Sequence, residues 1–552
     1  MSSRARGGAS EPLRRRSARK LDFDVAVIGG SLGGVAAAQA ACEAGARVIL
    51  TESDDWLGGQ LTGQAVPPDE HPWIERFGRT RRYHLLRTAI RAYYRGWYPV
   101  DPAVDTEAFN PGAARVSPLA HEPRVALAVI RGMLAPHISS GRLTVLTRTR
   151  PVRACVEDDL IRSVEIETAD STITSIAARY FLDGTDEGDL LPLVGAEHTV
   201  GSEEQSRYGE PHAGALERPE NQQAITYCLA LSHHAGEDHT IDRPLDYAFW
   251  RDYSPEAWTG RLLSFTAPDP RTLEPRTRWL DPNPEDELAP PWADTSADNG
   301  DLELWRFRRI LARRMFRAGT FDSDITLVNW PMTDYWLRPI IGVSDAERAV
   351  ALAEAKQLSL SVLYWLQTEA PRPDGGTGYP GLRLRPDVVG SDDGLSRAPY
   401  IREGRRIHAR RTVTEHDVST VLRGGVNIRS YPDAVGIGAY RIDLHPTTGG
   451  DPYIDISSTP FEIPLGALLP VRIRNLIAAG KSLGTTHIAN GCYRLHPVEW
   501  NVGEAAGVLA ARCSREGIPT EAVYEGETAR DDYLAELDKA GVERHWPMLR
   551  AL

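Results

Sequence analysis

An α/β fold is predicted by three observations. Near the N-terminus an apolar run of strand length, Asp24-Val25-Ala26-Val27-Ile28, meets the cluster Gly29-Gly30-Ser31-Leu32-Gly33-Gly34 and then small helix formers up to Glu43. Near the C-terminus the apolar stretch Leu476-Ile477-Ala478-Ala479 ends on Gly480, and the small-residue run Asn501–Ala511 follows. Between these junctions, strand-like and helix-like segments alternate. Together they predict a Rossmann-like nucleotide-binding domain assembled from 22–66, 120–200 and 470–515. A discontinuous second, mixed α+β substrate domain takes 67–119 and 201–469. A basic tail over 1–21 and a helical extension over 516–552 complete the chain.

The first junction has a physical purpose at each position. Gly29 allows the tight turn, and Gly33 or Gly34 lets the helix lie close to the strand. Free N–H groups at the helix start, with the helix dipole, hold a pyrophosphate. A second strand, Arg47-Val48-Ile49-Leu50, ends at Thr51-Glu52, and Glu52 lies 23 residues past Gly29, where a carboxylate binds ribose hydroxyls. Ser31 stands where the middle glycine of G-x-G-x-x-G is expected. Its hydroxyl reaches toward phosphate, but the backbone approach is less free.

The next segment favours FAD over a nicotinamide nucleotide. Trp56-Leu57-Gly58-Gly59-Gln60 follows the ribose acid closely, and a glycine pair there brings backbone N–H groups to a pyrophosphate or ring. Val152–Val156, Ile161–Ile166 and Thr172–Ala177 alternate like a small antiparallel set, with Val152 assigned to the cofactor. Phe181-Leu182-Asp183-Gly184 then returns the chain beneath the dinucleotide. Gly480 closes the fold at the second junction. The helix after it directs its positive N-terminus at the reduced flavin. The cofactor set is therefore Gly29, Ser31, Gly33, Gly34, Glu52, Gly58, Gly59, Gln60, Val152, Asp183, Gly184 and Gly480.

The remaining elements read in order. A helix is expected over 79–95, and another opens at Glu122-Pro123 with proline in its first turn. Leu143–Leu146 is a strand. The stretch 265–300, rich in prolines and acids, reads as a long loop or insertion. Residues 302–317 read as a basic amphipathic helix. Ser344-Asp345-Ala346-Glu347 is a capping box opening a long apolar helix that stops before Pro371. Tyr440–His445 alternates like a strand, which puts Arg441, Asp443 and His445 on one face. His233, His234 and His239 match no metal-binding spacing, so no metal is expected.

Composition excludes several classes. Net charge is −13 over 552 residues, and the first 20 residues carry seven basic side chains against one acid. The rest of the chain, relieved of those six positive charges, stands near −19. An acidic body disfavours nucleic acid as the partner. No apolar segment follows Arg14-Arg15-Arg16, and Gln39, Glu43 and Arg47 interrupt the longest apolar stretch, so neither a signal peptide nor a membrane span is expected. Five cysteines with no C-x-x-C pair suit a reducing cytoplasm. The expected partner is a small-molecule substrate, with a homo-oligomer left open.

These segments resemble a family of FAD-dependent oxidoreductases. The likeness is carried by Ile28–Gly34, Trp56–Thr62, His121–Ala126 and Ile488–Arg494, with Leu384-Arg385-Pro386-Asp387, Tyr400–Glu403 and Ile442–His445 as further family segments. It spans about residues 22–515 and implies cofactor and reaction class. Members often carry methionine after the arginine motif, where this chain has Leu495-His496-Pro497. The expected reaction oxidises a C–H next to oxygen or nitrogen in a small polar molecule, by hydride transfer to flavin N5. His445, His487 or His496 would take the proton, since histidine titrates nearest neutral pH. Arg494 or Arg402 would bind an anionic or carbonyl group. An NAD(P)H-dependent flavin monooxygenase and a non-catalytic binding protein on the same fold remain alternatives.

Overall fold

The computed structural model describes residues 19–256, 258–285, 302–425 and 427–547. The expected basic tail lies, up to residue 18, outside the described residues, as do 286–300 of the expected long loop.

The nucleotide half forms as its apolar runs dictate. Strands β1 (Arg19–Ile28), β2 (Val48–Thr51) and β3 (Leu143–Leu146) are joined by the helices α1 (Leu32–Glu43), α2 (Arg81–Trp97) and α3 (Pro123–Ser139). An antiparallel set follows: β4 (Thr149–Glu157), β5 (Leu160–Thr168) and β6 (Ile173–Asp183). Among the described residues these strands make a seven-stranded sheet in the order β3-β2-β1-β6-β5-β4 together with a strand near the C-terminus, Leu476–Ala478. β1, β2, β3 and β6 run parallel.

The two stretches 172–177 and 181–183, legible separately in the sequence, are one eleven-residue strand. The first half of β6 pairs antiparallel with β5, and its last residues pair parallel with Leu476–Ala478. The same length explains why β1 begins at Arg19 rather than at Asp24. β6 offers backbone partners out to Thr174, which pairs with Arg19.

The second half holds a four-stranded antiparallel sheet among the described residues. Its members are β7 (Leu229–His233), β8 (Arg309–Leu311), β9 (Ile325–Val328) and β10 (Leu382–Leu384), in the order β8-β9-β7-β10. The long helix α4 (Asp345–Thr368) packs beside it, opened by the expected Ser344–Glu347 capping box. Leu358, Val362, Leu363 and Leu366 of α4 enter a core with Leu229, Leu231, Trp305 and Val328. A larger core unites β1, α1 and β6 with α2, whose Tyr83, Leu86, Ile90 and Tyr94 are buried in it.

The expected helix over 302–317 is corrected. Only Leu304–Phe307 is helical, and Arg309–Leu311 becomes the edge strand β8. Buried Arg309 pairs with Asp324 at 2.7 Å, so a distant carboxylate overrides the local helical pattern. Within 265–300 a hairpin forms from Thr266–Pro268 and Pro275–Thr277.

The chain continues through β11 (Ala434–Gly438), β12 (Ile442–Leu444), β13 (Ile454–Ile456), β14 (Phe461–Pro464) and β15 (Leu476–Ala478). β11 pairs with β14, and β12 with β13. Helices α5 (His487–Tyr493), α6 (His496–Glu516), α7 (Thr520–Glu525) and α8 (Glu527–Ala540) close it. No helix among the described residues is long and apolar enough to cross a membrane.

Candidate active site

The nucleotide end is built by backbone approach. Gly29 has φ +97°, a region costly for any side chain, and an added Cβ there would stand 2.4 Å from the Gly184 carbonyl carbon. A Cβ at Gly33 would stand 2.1 Å from the Ala479 oxygen, and one at Gly34 2.1 Å from the Gly29 oxygen. Ser31 caps α1, accepting the Gly34 N–H at 3.3 Å. Glu52, at the end of β2, accepts the Gly30 N–H at 2.8 Å and the Asp54 N–H at 3.0 Å. Asp183 accepts the Thr185 N–H at 3.0 Å, while its second oxygen is buried without a partner. Gly184 donates to the Ile28 carbonyl. Gly58, Gly59 and Gln60 fold against this turn, where a Cβ at Gly59 would stand 3.0 Å from the Ser31 Cα. The atoms nearest a Cβ at Gly480 would be Glu499 Oε1 and Ser31 Oγ, both at 3.5 Å. Val152 lies on β4, at a bulge between paired Pro151 and Arg153.

This cradle fits the dinucleotide. Ser31, Gly33 and Gly34 sit at the helix start, and the Glu52 carboxylate closes β2 beside the same turn. Two side chains add to what the sequence suggested. The Glu499 carboxylate accepts the Gly33 N–H at 3.2 Å and a hydrogen bond from Gln60 Nε2. Burial pushes this carboxyl up, opposed by the Lys481 charge. Lys481 is buried and pairs with Asp186 at 2.7 Å. It is one of only four lysines in the chain, and its place beside Gly480 was the available signal.

Gln60 also joins the glycine turn to the substrate half, donating to the Arg494 carbonyl at 3.0 Å. The Arg494 guanidinium, buried, donates to Tyr400 Oη at 2.7 Å and to Asp443 Oδ2 at 2.9 Å. His445 Nδ1 lies 2.6 Å from Asp334 Oδ2, and its Nε2 is 3.6 Å from Asp443 Oδ2. Asp334 also takes the Arg402 guanidinium at 2.9 Å and the Thr226 hydroxyl at 2.8 Å. A line of polar side chains thus runs Arg402, Asp334, His445, Asp443, Arg494, Tyr400, hydrogen-bonded except across the 3.6 Å between His445 and Asp443. Against desolvation, Arg402 and the hydrogen bond from His445 hold Asp334 below the usual carboxylate range, and His445 and Arg494 do the same for Asp443. Asp443 and His445 share a face as expected, but Arg441 turns to Asp455.

His487 is buried with Nδ1 2.9 Å from Glu403 Oε2, and Glu403 raises its pKa against desolvation. It shares a cavity of about 180 Å³ with His445, Glu203, Glu210 and Arg218. Burial lifts the Glu210 carboxyl to about 7, with Glu203 and Glu415 adding to the rise. His496 does not line that cavity. It is fully buried, its Nδ1 accepts the Asp69 N–H at 3.1 Å, and desolvation drives its pKa well down. Two predicted histidines are therefore brought together and the third is not. Asp334, Glu203 and Glu210 carry no local sequence signal. Among the described residues no group of histidine, cysteine and acidic side chains could hold a metal ion.

No curated protein matches the chain. Among solved structures, p-nitrophenol 4-monooxygenase PnpA from Pseudomonas putida DLL-E4 is 13% identical, with 95% of this chain and 94% of that one covered at a TM-score of 0.37. L-proline dehydrogenase from P.horikoshii is 14% identical over 35% of this chain, at a TM-score of 0.17. The myxobacterial halogenase CndH, described as a variant of FAD-dependent halogenases, is 14% identical over 40% of this chain, at 0.22. The chain spans only 26% of the length of the dehydrogenase and 45% of that of the halogenase. At these TM-scores the likeness says nothing of substrate. The family model for FAD dependent oxidoreductases matches residues 24–534, nearly the whole described chain, so the protein belongs to that family and FAD is its cofactor.

Proposed function

We propose that the protein is a dehydrogenase or oxidase that removes hydride from a C–H next to oxygen or nitrogen in a small polar molecule, with flavin N5 as acceptor. The observation that carries this reading is His445 held between two aspartates at the wall of a cavity. Bound FAD supplies the two-electron acceptor. Nδ1 of His445 faces the Asp334 carboxylate at 2.6 Å, which places the ring proton there and leaves the Nε2 lone pair for substrate. At 3.6 Å, Asp443 is too far to hydrogen-bond Nε2 yet close enough to stabilise the imidazolium that proton uptake creates.

The remaining residues position this base. Arg402 spends its guanidinium on Asp334, the Ala224 carbonyl and Asn329, so it orients the aspartate. Arg494 holds Asp443 and Tyr400, and its backbone ties the set to the flavin-side turn through Gln60. His487, whose pKa the Glu403 carboxylate raises, offers a hydrogen-bond donor beside the cavity for substrate oxygen.

The test begins with the visible spectrum of the purified protein, before and after acid precipitation. Flavin colour moving to the supernatant identifies non-covalent FAD. Candidate alcohols and amines are then screened anaerobically for bleaching. His445→Asn should retain the flavin spectrum and slow bleaching by about 10²–10⁴-fold, the usual share of a general base. Unchanged bleaching in that variant removes His445 from the reaction. Bleaching by NADPH but by no candidate substrate assigns a monooxygenase instead.

A further inference from the structure

A second, larger cavity adjoins the one at His445. Its volume is about 520 Å³, and its walls include Tyr253, Trp258, Trp336 and Tyr453. The two cavities share Thr447, Asp451 and Pro452. The two cavities meet along the connection from β12 to β13, which begins at His445 and ends at Tyr453. The rings of those two residues meet edge to face at 5.5 Å, and Tyr453 Oη lies 3.5 Å from Asp334 Oδ2. The aromatic cavity is thus one ring away from the base.

From this geometry we infer that the aromatic cavity receives a flat, uncharged ring of the same substrate whose C–H is oxidised at His445. The substrate class is an arylalkyl alcohol or amine. The inference rests on the reaction proposed above and leaves that reaction unchanged. Three features carry it. The polar cavity, about 180 Å³, is smaller than the ~300–1,000 Å³ that sites for organic ligands occupy, and the aromatic one falls within that range. Trp258 stands 5.4 Å from Trp336 and 5.9 Å from Tyr453, centroid spacings at which a further ring adds by offset or edge contact. The charged side chains lining it are Glu256 and Asp451, and Asp451 is already held by Arg218 and by Asn221 at 2.7 Å. Among the described residues no lysine or arginine stands on its walls, so the cavity disfavours an aryl carboxylate or phosphate.

The test titrates the FAD-loaded full chain with four probes, benzyl alcohol and benzylamine against propanol and propylamine. Binding is read from perturbation of the visible flavin spectrum and from tryptophan fluorescence. The aryl probes should bind about tenfold more tightly than their propyl counterparts. Trp336→Ala should abolish the preference while the flavin content and Tm stay at wild-type values. Should Trp336→Ala fail to fold, Trp258→Leu carries the same expectation. Equal binding of aryl and propyl probes overturns the inference, as does a preference that survives both substitutions. Failure of the proposed reaction looks different: an aryl probe that binds tightly and never bleaches the flavin.

Discussion

The two halves of this molecule are held together by opposite means. Around the nucleotide turn, backbone meets backbone. α6 lies so close on α1 that a Cβ at Gly503 would stand 2.0 Å from the Gly33 oxygen, and one at Gly507 2.2 Å from the Ala37 oxygen. Around His445 the contacts are between charged side chains far apart in sequence: Arg402 with Asp334, Arg494 with Asp443, Arg406 with Glu203 and His487 with Glu403. The first kind of contact holds a rigid cofactor platform and tolerates no added atom. The second holds a polar site whose cost of assembly is desolvation, offset only while every charge keeps its partner. Each half should therefore fail in its own way when disturbed.

The largest effect is expected at Gly503. Gly503→Val inserts three carbons where one already clashes, and overpacking typically costs ~1–3 kcal/mol, more where backbone cannot yield. Because the atom in the way is the Gly33 carbonyl at the pyrophosphate turn, the variant should give little soluble protein and a flavin-to-protein ratio near zero. Gly132→Ala supplies the contrast. It sits in α3 with nothing within 4 Å of the added carbon, and should raise Tm slightly through helix propensity worth ~0.5–1 kcal/mol. A folded, yellow Gly503→Val would break the claim that close backbone approach holds this half.

In the other half the corresponding change is Asp334→Asn. Its shape is preserved, but it strips buried Arg402 of its counter-charge and His445 of its acceptor. Removing one partner of a buried pair costs about 3–5 kcal/mol. The expected result is a folded, yellow protein with a clearly lowered Tm, whose bleaching by substrate is slowed. Thermal scans of the holoprotein and anaerobic bleaching rates read the two consequences separately. An unchanged Tm would show that the Arg402–Asp334 pair contributes nothing to the fold.

The same contrast explains what was legible in the sequence. Gly29, Gly33, Gly34, Glu52, Asp183 and Gly480 could be placed because strand, turn and helix are local, and glycine is the only residue such approaches admit. β6 was read as two pieces because its partner changes midway from β5 to β15, which no pattern within the strand announces. The helix expected at 302–317 gave way to β8 because Arg309 finds Asp324 across the sheet. Around the site, His445 and His487 were visible as candidates by residue type. Asp334, Glu403 and Glu203 had no such mark, since a carboxylate becomes meaningful only once the fold brings its partner. His496 had the right type and neighbourhood, but its full burial drives it to the neutral form, a property no single-sequence pattern carries.

The smallest expected effect concerns Glu210 at the wall of the His445 cavity. Its carboxyl stands at about 7 in the fold, against 4.5 ordinarily, with desolvation the main cause and Glu203 and Glu415 adding to it. A raised carboxyl keeps its proton in the folded chain after the unfolded chain has lost it. Its contribution is therefore fully present below pH ~4.5 and is lost as pH rises through about 7. Glu210→Gln mimics the protonated form and keeps an oxygen to accept from the Thr486 hydroxyl and the Glu415 N–H, both at 2.6 Å in the wild type. Wild type and variant should melt together at pH 5 and separate by a few degrees at pH 8, with the variant the more stable. Other groups that titrate over this range, His71 and His121 among them, are common to both proteins and cancel in the difference. A difference that stays flat with pH would mean that Glu210 ionises as freely as an exposed carboxyl. The polar half would then owe its stability to its arginine-paired carboxylates alone.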